Sequence, residues 1–171
     1  MFSIHDTVVY PGQGIGSIQG IEDRELGDAG CQVYVIGIRM TDLTLIVPVQ
    51  NADRVGLRSL ASAEECRGVL EFLRTSRQEV PPPGFQNWHR RSREYDKRLA
   101  SPDLRGCAEV LAELLTIGRL KQLSFAERRT RDHALSIVLG EIAEVLGVEE
   151  GPMREELEAI HAPAVAETVR S

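Results

Sequence analysis

The hydrophobic period of this chain changes once. Up to about residue 51, apolar residues alternate with small or polar ones in short runs broken by glycine; from about residue 62 they recur three and four apart. A period of two buries one face of a strand, and a period of 3.6 buries one stripe of a helix. The chain is therefore held to a β module followed by a helical one, an α+β protein of two domains. The boundary falls near residues 52–62, with domains expected at 1–55 and 60–162 and a flexible tail at 163–171.

Four strands are legible in the first module. Thr7-Val8-Val9-Tyr10 stops at the turn Pro11-Gly12-Gln13-Gly14, and Ile15 to Ile21 alternates around glycines that permit a bend. Gln32 to Ile38 follows the turn Gly27-Asp28-Ala29-Gly30, and Leu43 to Val49 closes the series. Short strands at this spacing predict a small, strongly bent antiparallel barrel. Gly12, Gly14 and Gly16 do not make a phosphate loop, because a strand rather than a helix follows and no Lys is present. Pro48 cannot donate to a ladder, so it marks a strand end or a sheet edge, and such an edge can pair with a partner's strand.

The second module begins with Ser62 as a helix cap and Glu65 at the capping-box position. Val69, Leu70 and Leu73 continue a helix of roughly fifteen residues towards the stop signal Pro81-Pro82-Pro83-Gly84. A second helix is expected from about Asn87 to Leu99 and a third from near Asp103, with Val110, Leu111, Leu114 and Leu115 buried. Ser124-Phe125-Ala126-Glu127 opens a fourth that Gly151-Pro152 should break, and a short acidic helix runs from Met153 to about Ala162.

Composition narrows the function. The 171 residues are 42% hydrophobic and 27% charged, with no run of membrane-spanning length and no basic-then-apolar signal at the amino terminus. Cys31, Cys66 and Cys107 are odd in number and form no C-x-x-C pair, so neither a disulfide nor a zinc site is expected. His5, His89, His133 and His161 are isolated, with no metal-ligand or nucleophile spacing. The expectation is a cytoplasmic protein without cofactor or catalytic constellation, not an enzyme.

Charge is unevenly spread. The net −6 hides a basic middle: fourteen basic and nine acidic residues lie between Arg67 and Asp132, against two basic and eight acidic from Glu141 onward. Within that middle sits Asn87-Trp88-His89-Arg90-Arg91-Ser92-Arg93, which holds the chain's one Trp. On nucleic acid, guanidiniums neutralise phosphates while a planar ring stacks on or wedges between bases. The competing use of Trp88 is as aromatic anchor of a helical core, with the arginines solvated.

Four segments in order carry a resemblance. Val8-Val9-Tyr10-Pro11-Gly12-Gln13-Gly14-Ile15-Gly16, Val47 to Arg58, Asn87-Trp88-His89-Arg90-Arg91 and Leu123-Ser124-Phe125-Ala126-Glu127-Arg128-Arg129 resemble the CarD/CdnL family of bacterial transcription regulators, over roughly residues 1–147. The resemblance implies a Tudor-like amino-terminal domain that binds the β subunit of RNA polymerase, with Arg24, Ile46 and Pro48, and less strongly Ile36, at the polymerase contacts. It further implies that Trp88 wedges into the minor groove of promoter DNA at the upstream fork of the melted bubble, with Arg90, Arg91 and Arg93 on the backbone, and that the open complex is stabilised as a result. A monomer is expected, without membrane contact. Departures from the family pattern are Ser92 where a Tyr is frequent, Ile46 where some members have Arg, and Ala112-Glu113 where an Arg-Asp pair is common. The alternative is a polymerase-docked adaptor that recruits another protein without touching DNA.

Overall fold

The computed structural model describes residues 1–76, 84 and 86–163. The stop signal expected at 81–83 and the tail from 164 lie outside the described residues.

Among the described residues, five antiparallel strands form one sheet in the order β4-β3-β2-β1-β5: β1 Thr7–Tyr10, β2 Gly14–Leu26, β3 Ala29–Ile38, β4 Thr44–Pro48 and β5 Arg58–Ser59. The ladder ends at β4 on one side and β5 on the other, and it is the small, bent antiparallel sheet that the sequence predicts. Its bend sits in β2, where the register with β3 shifts between Ile18 and Gly20. Gly16 is needed for close approach: a β-carbon there would lie 2.9 Å from both the Gly37 carbonyl oxygen and Ile36 Cγ2. β2 and β3 extend further than the sequence indicated, pairing out to Leu26 and Ala29 around a two-residue turn. β5 was not foreseen and lies past the expected domain end at 55; two residues carry no readable period. Val8, Ile18, Tyr34, Ile36, Ile38, Val47 and Leu57 fill the core of this half.

Five helices follow among the described residues: α1 Ala63–Thr75, α2 Trp88–Leu99, α3 Leu104–Leu120, α4 Phe125–Leu146 and α5 Glu150–Ile160. Both expected capping boxes are formed. Ser62 Oγ accepts the Glu65 N–H while Glu65 accepts the Ser62 N–H, and Ser124 and Glu127 repeat the exchange at α4. Asp103 caps α3 through the Arg105 N–H. The expected break at Gly151-Pro152 is corrected. α4 ends earlier, at Gly147, whose φ of 64° is the left-handed cap, and Pro152 sits in the first turn of α5. A proline there removes an N–H that has no helical partner anyway. Leu73, Tyr95, Leu111, Leu114, Leu135, Leu139 and Ile142 anchor the second core.

α4 joins the halves. His133 Nε2 donates to the Gly12 carbonyl at 2.9 Å, Arg39 reaches Glu144 at 2.6 Å, and the buried Glu141 accepts from Arg58 and from the Ala61 N–H. These contacts run along one helix, so they fix its direction against the sheet.

Candidate nucleic-acid and polymerase interface

The sheet presents two faces. Along β3, Tyr34, Ile36 and Ile38 point into the core, while Cys31, Val33 and Val35 alternate to the opposite face, on which Val33 is itself buried. Cross-strand partners share a side, and the pairs Arg24–Cys31, Val35–Ile46 and Val33–Pro48 therefore place Arg24, Ile46 and Pro48 together on that outer face. Ile36 is a correction: it is 0% exposed and pairs with Ile18 and Leu45, so its side chain is core and meets no partner. Ile46 is exposed on the edge strand, where alternation with the buried Val47 turns it outward. Arg24 is exposed and paired with Glu22 through Nε at 3.0 Å and Nη2 at 2.9 Å.

The basic segment builds the start of α2. Asn87 caps it, accepting the Arg90 N–H at 3.2 Å, and Trp88 is the first helical residue. Trp88 is half-buried. Its ring meets Tyr95 edge-on, with centroids 6.3 Å apart and planes at 61°. Arg90 and Arg93 are exposed and form no ion pair among the described residues. Ser92 bonds back to the His89 carbonyl of its own helix.

Arg91 is the second correction. It is 6% exposed, its Nη2 donates to Glu127 Oε1 at 2.8 Å, and its guanidinium carbon stands 5.3 Å from the Trp88 ring and 5.8 Å from that of Tyr95. Three residues after Trp88, it lies on the same side of the helix, with its guanidinium turned into the core. Burial works against the charge of Glu127, but Arg91, the Ser124 N–H and Lys121 outweigh it and hold the carboxyl at about 2.

That ion pair brings the start of α4 beside the start of α2. On α4, Phe125, Arg128 and Arg129 are spaced i, i+3, i+4 and share the face turned away from Glu127. Phe125 is 75% exposed, and neither arginine has an ion-pair partner among the described residues. The i, i+3, i+4 spacing of this outer face is legible in the sequence. Arg98 clamps α2 to α3 between Glu113 at 3.0 Å and Glu109 at 3.1 Å. Ala112, where an Arg is common in the family pattern, is buried in α3.

Comparison with known proteins follows this division of the chain. The family model described as CarD, C-terminal domain, matches residues 68–158, and that of the CarD-like/TRCF RID domain matches residues 2–61. The chain is a member of the CarD family. It is similar to "Putative transcription factor YdeB" of Bacillus subtilis (strain 168), 23% identical over 150 residues that cover 88% of this chain and 95% of the relative. As a CarD-family protein it is a transcription regulator, and its RID domain implies interaction with RNA polymerase.

No other chemistry gathers among the described residues of this CarD-family protein. They contain no group of three His, Cys, Asp or Glu placed to hold a metal, and no helix long and apolar enough to cross a membrane. His133 and His161 spend their Nε2 atoms on backbone carbonyls, and burial pushes the Cys66 and Cys107 thiols up to about 11.

Proposed function

We propose that this CarD-family protein docks on the RNA polymerase β subunit through the outer face of its sheet and stabilises the open promoter complex through the start of α2. The observation that carries the reading is the half-buried Trp88 in the first turn of a helix whose other side carries the exposed Arg90 and Arg93, without ion-pair partners among the described residues, and which is tied through α4 to the sheet.

The outer face offers an edge strand with the apolar Ile46 and Pro48 beside Arg24. An exposed pair such as Arg24–Glu22 holds itself together with about 0–1 kcal/mol, so the guanidinium can exchange to a partner's carboxylate at little cost. The edge of β4 leaves backbone groups for a partner's strand.

Trp88 acts on the DNA. Wedging a ring between base steps costs a few kcal/mol in intact duplex and less at a fork already unstacked. The protein then binds melted DNA better than closed DNA and shifts the equilibrium by that difference. Arg90 and Arg93, with Arg128 and Arg129, supply phosphate contacts and replace the buried Arg91 in that role. No bond is made or broken.

The test is the lifetime of the open complex formed by the cognate polymerase, with wild-type protein and with Trp88→Ala. Longer lifetime with wild type, lost in the variant while polymerase binding persists, is the expected result. An unchanged lifetime despite binding to the β subunit overturns it in favour of the adaptor, a reading to which the packing of Trp88 against Tyr95 is equally suited.

A further inference from the structure

Arg91 is the misfit of the helical half. Its guanidinium makes one ion pair, to Glu127, and interacts with the Tyr95 hydroxyl, while Nε and Nη1 are buried with no close hydrogen-bond partner among the described residues. Beside it stand the rings of Trp88 and Tyr95. A buried guanidinium so poorly supplied is a costly way to fill a core, and an unbranched apolar side chain of similar length would pack the same space. Where one position breaks the rules of an otherwise consistent core, a functional constraint accounts for it.

Glu127, which holds Arg91, is itself held. Lys121 Nζ lies 3.1 Å from each of its oxygens, the Ser124 N–H donates to Oε2 at 2.8 Å, and its own N–H returns to Ser124 Oγ. A carboxylate with so many donors cannot rotate freely, so the guanidinium it grips is set in place. That guanidinium is within cation–π range of the indole, and the Tyr95 ring meets the same indole edge-on.

We infer that Arg91, locked by Glu127, is a positioning residue that fixes the angle of the Trp88 ring, so that the start of α4 presets the wedge carried by α2. The consequence at promoters rests on the wedge reading; the holding of the ring does not.

Because Trp88 is the one Trp of the chain, its emission reports this directly. Time-resolved fluorescence anisotropy of the full chain would be compared for wild type, Arg91→Met, Arg91→Lys and Glu127→Gln, alongside open-complex lifetime. In folded Arg91→Met the amplitude of nanosecond ring motion should rise about twofold. The lifetime gain at the promoter should fall about tenfold with polymerase binding unchanged, and Arg91→Lys should restore part of both. Unchanged ring motion in folded Arg91→Met overturns the inference, and so does a freed ring with full lifetime gain. Should Arg91→Met not fold, Glu127→Gln decides by the same criteria, since its amide oxygen still accepts from Ser124 while its amide nitrogen cannot accept from Arg91. If wild type gives no lifetime gain, the wedge reading fails, while ring motion alone still decides whether Arg91 holds Trp88.

Discussion

The Arg58 guanidinium on β5 meets the Glu141 carboxylate of α4 in two hydrogen bonds of 2.6 and 2.9 Å, and only 1% of Glu141 is exposed. The Ala61 N–H donates to the same carboxylate at 2.8 Å, so one buried acid joins the sheet, the connecting segment and the helical half. Glu141→Ala should cost about 3–5 kcal/mol in urea unfolding, because it strands a largely desolvated guanidinium. The double variant Arg58→Met/Glu141→Leu should recover most of that. It should stop about 1–2 kcal/mol short of wild type, since the Ala61 N–H remains without its acceptor. Full loss in the double variant would mean that packing, rather than charge, holds this junction.

Glu127 makes an acid-sensitive contribution. Its folded value of about 2 lies below its ordinary 4.5, so the stability it lends is complete above pH 4.5 and is lost as pH falls towards 2. A shift of that size corresponds to roughly 3 kcal/mol. Glu144 and Glu156 are also held low by Arg39 and Arg74, so the comparison is between wild type and Glu127→Gln. The variant should show a shallower fall in stability between pH 5 and pH 2, read by urea midpoints, as about one proton less is taken up on unfolding.

Trp88→Ala tests the wedge without unfolding the domain. The ring is half-buried against Tyr95, so truncation should cost about 2 kcal/mol rather than the 3–5 of a fully buried aromatic. Circular dichroism melting would read this. A much larger loss would make Trp88 a core anchor and weigh against its role on DNA.

Salt dependence sorts the arginines. Arg90→Gln and Arg93→Gln should each lower the slope of log affinity against log salt for forked promoter DNA by about 1, as one phosphate contact disappears. Arg67→Gln, exposed on α1, should leave the slope unchanged. Equal effects from all three would point to a diffuse field instead of a defined interface.

Gly16→Ala should destabilise the sheet by about 1–3 kcal/mol, because the new methyl meets the Gly37 carbonyl and Ile36 Cγ2 at 2.9 Å. The change appears in thermal unfolding.

Much of the fold was legible because it is local. Ser62 with Glu65 and Ser124 with Glu127 announce helix starts within four residues, and the β-rich run of β1 shows in a handful more. The fourth helix's end was misread for a related reason. Gly-Pro is a strong stop, but a proline in a first turn is also a good start, and only the left-handed Gly147 four residues earlier separates the two. The expected site residues divide by exposure. Trp88, Arg90, Arg93, Ile46, Pro48 and Arg24 lie at or near the surface, whereas Ile36 and Arg91 do not.

Residue type and spacing by themselves determined the switch from sheet to helix, the capped starts of α1 and α4, and the basic segment around Trp88, because each depends on contacts within a turn or two of chain. Which side of each element faces inward at its ends is set by neighbours far away in sequence. Glu127, 36 positions from Arg91, draws that guanidinium into the core, and Glu141, 83 positions from Arg58, sets the sheet against the helices. A charged side chain is buried only where an opposite charge is already placed to receive it, and that placement exists only once the chain has folded.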